Sequence, residues 1–346
     1  MILFYIDDGC TTIIYVINSR GGIKVNDIVG NVFNVQRYTV HDGPGIRTEI
    51  FLKGCSLNCL WCCNPEGINK DLEIGIYPDK CIGVEKCGYC VDQCPFPKEE
   101  IFNLNFNDAV EYIDRDLCIN CLKCAEACPG DAIITWGENK TVSEVIEEIR
   151  KDKIYYDESD GGITISGGEL LVQWKYALEL LKESKRFGID TCIETTLNGE
   201  WDIINKLLEY TNLLITDIKH MDAEKHKKFT GVSNKLILEN LVKFSKQNIP
   251  YIIRIPMVPK YVATEKNMIE TSRFIKNELG NMPLQIQLLP FHEYGHNKYK
   301  TLDINYPLEN IDFPDRKTQN KLIERLYNKM KDFEIPVYIG STNKLN

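Results

Sequence analysis

The chain has 346 residues, of which 43% are hydrophobic and 26% charged, and a net charge of −9. That length allows roughly two domains with ample interior for a large α/β core, and a negative charge without a Lys/Arg-rich face argues against nucleic acid as a partner, leaving proteins and small molecules. Fourteen cysteines without a convincing secretory signal read as metal ligands in a reducing cytoplasm, not as disulfides.

Met1 to Ile17 contains apolar runs, Ile2-Leu3-Phe4-Tyr5 and Ile13 to Ile17, interrupted by Asp7, Asp8 and Gly9. The stretch is too broken to span a membrane and has neither a basic flank nor a cleavage site. Codons for Ser19-Arg20-Gly21-Gly22 are compatible with a purine-rich ribosome-binding sequence, with Val25 as a GTG start a few codons later. Residues 1–24 are therefore expected to be an extension outside the native protein; the alternative is a short N-terminal β-extension. Cys10 is incidental on either reading.

From Val29 to Lys53 the pattern is strand-like, with Gly43-Pro44-Gly45 fixing a turn between two apolar stretches. Directly after Ile50-Phe51-Leu52 comes Cys55-Ser-Leu-Asn-Cys59-Leu-Trp-Cys62, three thiols at C-x3-C-x2-C spacing. One short loop of this kind can wrap a single cubane, but three ligands leave one iron of a 4Fe-4S cluster without a protein partner, open to a small molecule. A zinc knuckle lacking its fourth ligand, or buried thiols that merely lie close together, are the alternatives. Cys63 adjoins Cys62, and backbone direction makes it a poor fourth ligand.

With Trp61 ahead of its third cysteine, this loop resembles that of the radical S-adenosylmethionine superfamily. The segments around it, Asp42-Gly43-Pro44-Gly45-Ile46-Arg47 and Asn64-Pro65-Glu66, are similar to those of glycyl-radical enzyme activating enzymes within that superfamily. The resemblance implies that Cys55, Cys59 and Cys62 hold a 4Fe-4S cluster whose open iron is chelated by the methionine moiety of S-adenosylmethionine. Trp61, Cys62 and the backbone of Cys63 then lie against the cofactor. One electron cleaves the sulfonium to methionine and a 5′-deoxyadenosyl radical.

Residues 68–140 interrupt the alternation of strands and helices and carry an internal repeat. Cys81, Cys87, Cys90 and Cys94-Pro95 are followed by Cys118, Cys121, Cys124 and Cys128-Pro129. The second run is the bacterial ferredoxin pattern, whose fourth cysteine crosses to the other cluster. That assigns Cys81, Cys87, Cys90 and Cys128 to one auxiliary 4Fe-4S cluster, and Cys118, Cys121, Cys124 and Cys94 to a second. Five residues between Cys81 and Cys87 depart from the pattern. The insert is expected to relay electrons, the alternative being that its clusters only staple a thin core.

Thr141-Val142-Ser143-Glu144 opens a capped helix with Val142, Val145, Ile146 and Ile149 on one face, ending near Lys151. Strands are then predicted at Ile163–Ser166, Thr191–Thr195, Leu213–Thr216, Tyr251–Ile255, Leu284–Leu289 and Val337–Ile339. Helices are predicted at Trp174–Phe187, Ile237–Gln247, Glu265–Leu279 and Arg316–Asp332. This order argues for a parallel sheet with right-handed crossovers and resembles the partial (β/α)6 barrel of the superfamily. Reactive groups belong at the C-terminal strand ends of such a barrel, which is where Gly167-Gly168-Glu169, Glu194-Thr195-Thr196, Asp217-Ile218-Lys219, Arg254 and His292 fall.

The resemblance implies that Gly167, Gly168 and Glu169 meet the methionine amino group, although Leu170 stands where the family has Pro. It places Asp217, Ile218 and Lys219 at the cofactor carboxylate, Arg254 near the cofactor and His292, within Pro290-Phe291-His292, at the adenosine. Glu194 and Asp217 are candidates for holding a monovalent cation, with Glu194 replacing the Asp of relatives. The expected organisation is an α/β, partial (β/α)6 TIM-like barrel from 25–67 and 141–346 with a ferredoxin-like domain inserted at 68–140. No side chain need act as acid or base. The expected function is installation of a glycyl radical on a partner glycyl-radical enzyme, with a flavodoxin or ferredoxin-type protein as electron donor. A radical S-adenosylmethionine enzyme of other substrate, or a polyferredoxin carrier, are the alternatives.

Overall fold

The structure is a computed structural model that describes residues 3–7, 12–17 and 23–341, with side chains from 28 to 341; Cys10 lies outside the described residues. Strands β1 (Leu3–Asp7) and β2 (Thr12–Ile17) pair antiparallel with each other, and β2 pairs with the first half of the long β3 (Ile23–Thr39). The second half of β3 turns back at Gly43-Pro44-Gly45 to pair antiparallel with β4 (Arg47–Leu52). Arg47, fully buried, holds that turn by donating to Pro44 O at 3.1 Å, Thr164 Oγ1 at 2.9 Å and Asp190 Oδ1 at 2.9 Å. Its place in the motif is therefore architectural.

After the three-cysteine loop the chain leaves the sheet. It forms β5 (Glu73–Ile76), α1 (Tyr89–Gln93), α2 (Lys98–Ile101), β6 (Phe102–Leu104), β7 (Val110–Ile113), α3 (Lys123–Glu126) and β8 (Ile133–Trp136). β5 pairs with β8 and β6 with β7, both antiparallel. These elements bury a core of their own, separate from that of the main sheet, built from Ile74, Ile76, Ile101, Phe102, Val110, Ile113 and Ile133 with Cys90 and Cys124. The repeat seen in the sequence is also geometric. Gly88, before α1, and Leu122, before α3, take the same left-handed conformation, at φ 69° and φ 64°, one position after Cys87 and Cys121. A leucine adopts this conformation at a cost, and here the shape of the cysteine loop imposes it.

β9 (Glu138–Thr141) returns the chain to β3 and leads into α4 (Val142–Arg150), where Thr141 and Glu144 form the reciprocal cap expected. There follow α5 (Lys153–Ser159), β10 (Gly162–Gly167), α6 (Trp174–Arg186), β11 (Asp190–Glu194), α7 (Trp201–Leu208), β12 (Leu213–Asp217), α8 (Ala223–Thr230) and α9 (Lys235–Phe244). The chain closes with β13 (Tyr251–Met257), α10 (Glu265–Glu278), β14 (Gln285–Pro290), α11 (His296–Thr301), α12 (Arg316–Lys331) and β15 (Val337–Ile339). β4, β10, β11, β12, β13, β14 and β15 pair in that order, all parallel. The helices between them act as crossovers, which gives the α/β core of a partial TIM-type barrel.

Alternation along the strands sorts the side chains. Ile50, Ile163, Ile165, Ile193, Leu214, Ile253 and Ile255 face the helices in the large outer core. Cys192, Leu213, Ile215 and Ile252 form a small apolar floor on the other face, which accounts for Cys192 as a packing residue. Two residues further along, the same inward parity places Glu194, Asp217 and Arg254 above that floor, at the C-terminal ends of β11, β12 and β13.

Candidate functional site

A cavity of about 670 Å3 opens at those strand ends. Its walls include Cys55, Cys59 and Cys62 with Trp61 and Cys63 from the loop, Gly167 and Gly168 from β10, and Asp217, Lys219, Arg254 and His292 from the later strands. The loop is fixed by backbone bonds to the strand ends and to its own exit: Gly54 N donates to Gly67 O and Cys55 N to Ile68 O, each at 2.9 Å. The backbone N–H of Leu57 reaches Cys55 Sγ at 3.4 Å, a contact that favours sulfur carrying negative charge. Burial pushes each of the three thiols up to about 12. They are thus neutral at physiological pH without a metal, and loading a metal centre displaces their protons.

The soft donor set, three cysteine thiols in one eight-residue loop, fits iron–sulfur or zinc; a closed structural zinc site takes four protein ligands, whereas three thiols hold a cubane with one iron left open. Among the described residues, Asp42, Glu49 and Glu194 separately bring carboxylate oxygens within 4.8 Å of one another.

Gly167 and Gly168 do more than admit a ligand. A Cβ at Gly167, where φ is +122°, would stand 2.3 Å from the Leu52 backbone, and one at Gly168 would stand 2.3 Å from both Gly54 O and Gly67 O. The pair lets the end of β10 close onto the start and exit of the cysteine loop.

Two residues expected at the cofactor do not line the cavity. Glu169 turns away and accepts from Thr195 Oγ1 at 2.7 Å, Thr196 N at 2.8 Å, Thr196 Oγ1 at 2.5 Å and Leu171 N at 3.1 Å. These four bonds occupy its carboxylate and tie it to the segment after β11. Ile218 packs into the outer core, and its N–H is taken by Arg254 O at 2.9 Å.

Asp217 and Lys219 form an ion pair at 2.8 Å, largely shielded from solvent. Burial opposes the charge of Lys219, but its contact with the Asp217 carboxylate outweighs this and holds its pKa above the ordinary value. Arg254 binds Glu194 at 2.7 Å, Asp42 at 2.8 Å and His41 O at 2.7 Å. Glu194 also accepts from Ser166 at 2.7 Å. The two carboxylates considered for a monovalent cation therefore fall into different groups, Asp217 paired with Lys219 and Glu194 sharing Arg254 with Asp42. His292 lies 3.8 Å from Cys63 Sγ and stacks on Tyr294; burial, then Arg316, lowers its pKa.

Glu49 is a cavity residue that the sequence reading missed. It is buried at the floor beside Asp42 and Glu194, and burial together with those two neighbours raises its pKa to about 10. The available signal was parity: Glu49 falls two residues after Arg47 on the inward face of β4.

The other eight cysteines line two separate cavities of the inserted region. Cys81, Cys87, Cys90 and Cys128 surround one of about 280 Å3; Cys94, Cys118, Cys121 and Cys124 surround a smaller one. Backbone N–H groups of Val110, Asn120 and Ile133 point at Cys81, Cys118 and Cys128, each at 3.4 Å. The insert is tied to the main site through Lys53 and Glu73 at 3.1 Å and through Trp136 Nε1 and Thr301 Oγ1 at 3.2 Å.

A family model described as "Radical SAM superfamily" matches residues 50–272. The (2S)-3-sulfopropanediol dehydratase activating enzyme of Klebsiella oxytoca is 43% identical over 91% of this chain and 98% of its own. The isethionate sulfite-lyase activating enzyme of Oleidesulfovibrio alaskensis is 40% identical over 82% of this chain and 90% of its own. The 4-hydroxyphenylacetate decarboxylase activating enzyme of Clostridioides difficile is 33% identical over 90% and 96%.

Proposed function

This chain belongs to the radical S-adenosylmethionine superfamily and, within it, to the activating enzymes of glycyl-radical enzymes, and we propose how its residues divide that work. A cluster at Cys55, Cys59 and Cys62, when loaded and reduced, supplies the electron that splits S-adenosylmethionine and so leads to the glycyl radical on the partner enzyme. The protein's share is orientation and exclusion of water. Lys219, held by Asp217 beside the thiols, supplies positive charge for the cofactor carboxylate. The backbone at Gly167 and Gly168 takes the methionine end, Trp61 and the Cys62–Cys63 backbone bound its flank, and His292, neutral and stacked on Tyr294, takes the adenosine side. Arg254, saturated by Asp42 and Glu194, shapes the opposite wall. No acid or base is required.

Residues 68–140 act as a ferredoxin-like domain with two auxiliary 4Fe-4S clusters, one at Cys81, Cys87, Cys90 and Cys128 and one at Cys94, Cys118, Cys121 and Cys124. They pass electrons inward from a flavodoxin or ferredoxin-type donor in the cytoplasm. What supports this is the gathering of the eight thiols into two sets of four, in a region fastened to the loop through Lys53 and Glu73.

Relatives at 43% and 40% identity activate enzymes named for sulfonates, and the partner is assigned to that class. The observation that carries the reading is the convergence of three loop thiols and the strand-end polar groups on one cavity. Anaerobic reconstitution with iron and sulfide, then dithionite and S-adenosylmethionine, should yield 5′-deoxyadenosine. Adding a glycyl-radical enzyme that acts on a sulfonate substrate should yield a carbon-centred EPR doublet. Formation of 5′-deoxyadenosine without a doublet on that partner would refute the partner class alone.

A further inference from the structure

Tyr299 is used neither by the motifs nor by the division of labour above. It is 3% exposed on α11, and among the described residues its hydroxyl has no hydrogen-bond partner. A buried hydroxyl without a partner is destabilising unless something else satisfies it.

The placement of α11 says what that is. At the start of the helix, Gly295 lies so close to the loop that an added Cβ would meet Cys63 Cα at 2.9 Å and Cys62 O at 3.0 Å. Tyr299 follows four residues later, on the same helix face, with its N–H on Gly295 O at 3.3 Å. Lys298 locks the helix to the loop exit, reaching Asn64 Oδ1 at 2.9 Å and Glu66 Oε1 at 2.5 Å. The ring of Tyr306 packs against Tyr299, with centroids 5.1 Å apart. In this position the phenol lies in the electrostatic field of Cys62, Cys63 and Cys59.

We propose that Tyr299 donates its phenolic hydrogen bond to a sulfur of the cluster held by Cys55, Cys59 and Cys62, at Cys62 or an adjoining sulfide, and thereby raises that cluster's reduction potential. The inference rests on the cluster reading of the loop. One-electron reduction adds negative charge to the sulfurs, so a donor aimed at them from a site of low dielectric favours the reduced form. Tyr299 is a tuning residue in this account; it does not touch the bond that breaks.

The test is a redox titration of full-length, reconstituted wild-type protein and the Tyr299→Phe variant, with iron and sulfide quantified. The signal followed is the EPR signal that changes on adding S-adenosylmethionine. Phe keeps the ring and removes only the hydroxyl. The expected result is a more negative midpoint in the variant, by about a tenfold change in the reduction equilibrium, or about 59 mV for one electron, at unchanged iron content. Incorporation of 3-fluorotyrosine at 299, whose more acidic hydroxyl is the stronger donor, should shift the midpoint the opposite way. Equal midpoints in all three proteins would overturn the proposal while leaving the cluster reading intact. Absence of any signal responsive to S-adenosylmethionine in the wild type, with iron missing from the loop, would overturn both.

Discussion

The barrel and the insert hold their thiols by opposite means. Around the three-cysteine loop, more than forty buried apolar side chains form one continuous core, and the cavity walls are braced by buried ion pairs such as Arg254 with Glu194 and Asp42. Around the other eight cysteines the core has ten buried members, two of which are themselves cysteines, and residues 68–140 contain fourteen acidic against seven basic side chains. A core that small cannot offset much chain entropy, and net negative charge adds to its instability until metal binding supplies folding free energy. The expectation is that the barrel site forms without metal, whereas the insert depends on metal bound at its eight thiols.

The largest effect expected from this contrast is functional. Cys59→Ser should reduce 5′-deoxyadenosine formation to background while the barrel melts at the wild-type temperature, because Ser replaces a single atom at a position that only borders the outer core, and the loop's buried anchor there, Trp61, is kept. A several-degree loss of melting temperature would show that the loop thiol also supports the barrel.

Removal of iron is the next largest. In metal-free protein, amides of β5 to β8 should exchange within seconds while those of β10 to β14 stay protected, as read by hydrogen–deuterium exchange. Equal protection in both regions would mean that the insert folds without metal.

A pH-dependent effect separates the barrel further. Glu49 has an ordinary value of 4.5 and is raised to about 10 by burial beside Asp42 and Glu194. Between those limits the folded protein retains a proton that the unfolded chain has released, so this group's contribution to stability falls as pH rises. Glu49→Gln, neutral throughout, should become progressively more stable than wild type as pH rises from about 4.5 towards 8, with the gain vanishing near pH 4.5. Denaturant melts at several pH values check this; a pH-independent difference would contradict the assignment.

At the small end, Lys153 and Asp157 form a surface pair at 2.7 Å one turn apart on α5. Lys153→Ala should change stability by less than about 0.5 kcal/mol.

Much of this contrast could be read from residue order. Cysteine spacing separated the loop from the insert, and the apolar runs at 163–166, 191–195, 213–216, 251–255 and 284–289 marked strands found within a residue or two of those limits at most ends. Strand parity was legible as well, since Glu194, Asp217 and Arg254 share the inward face. Short helices escaped. α5, α7, α8 and α11 have six to eight residues each, too few turns for periodicity to stand out. Side-chain direction past a strand end was also hidden: Gly167-Gly168-Glu169 reads as one ligand-facing unit, yet the backbone turns Glu169 into the Thr195-Thr196 segment. Tyr299 could not be found by pattern at all, because an unsatisfied hydroxyl is a property of the packed neighbourhood.

The central claim is that Cys55, Cys59 and Cys62 leave an iron open for S-adenosylmethionine on a barrel that forms without it. The direct measurement is EPR of the reduced, reconstituted protein before and after adding S-adenosylmethionine, made on a variant in which Cys90 and Cys124 are replaced by Ala to remove the signals of the insert. The account predicts a 4Fe-4S signal whose g-values shift on addition. A signal from those three thiols that S-adenosylmethionine leaves unchanged would contradict it.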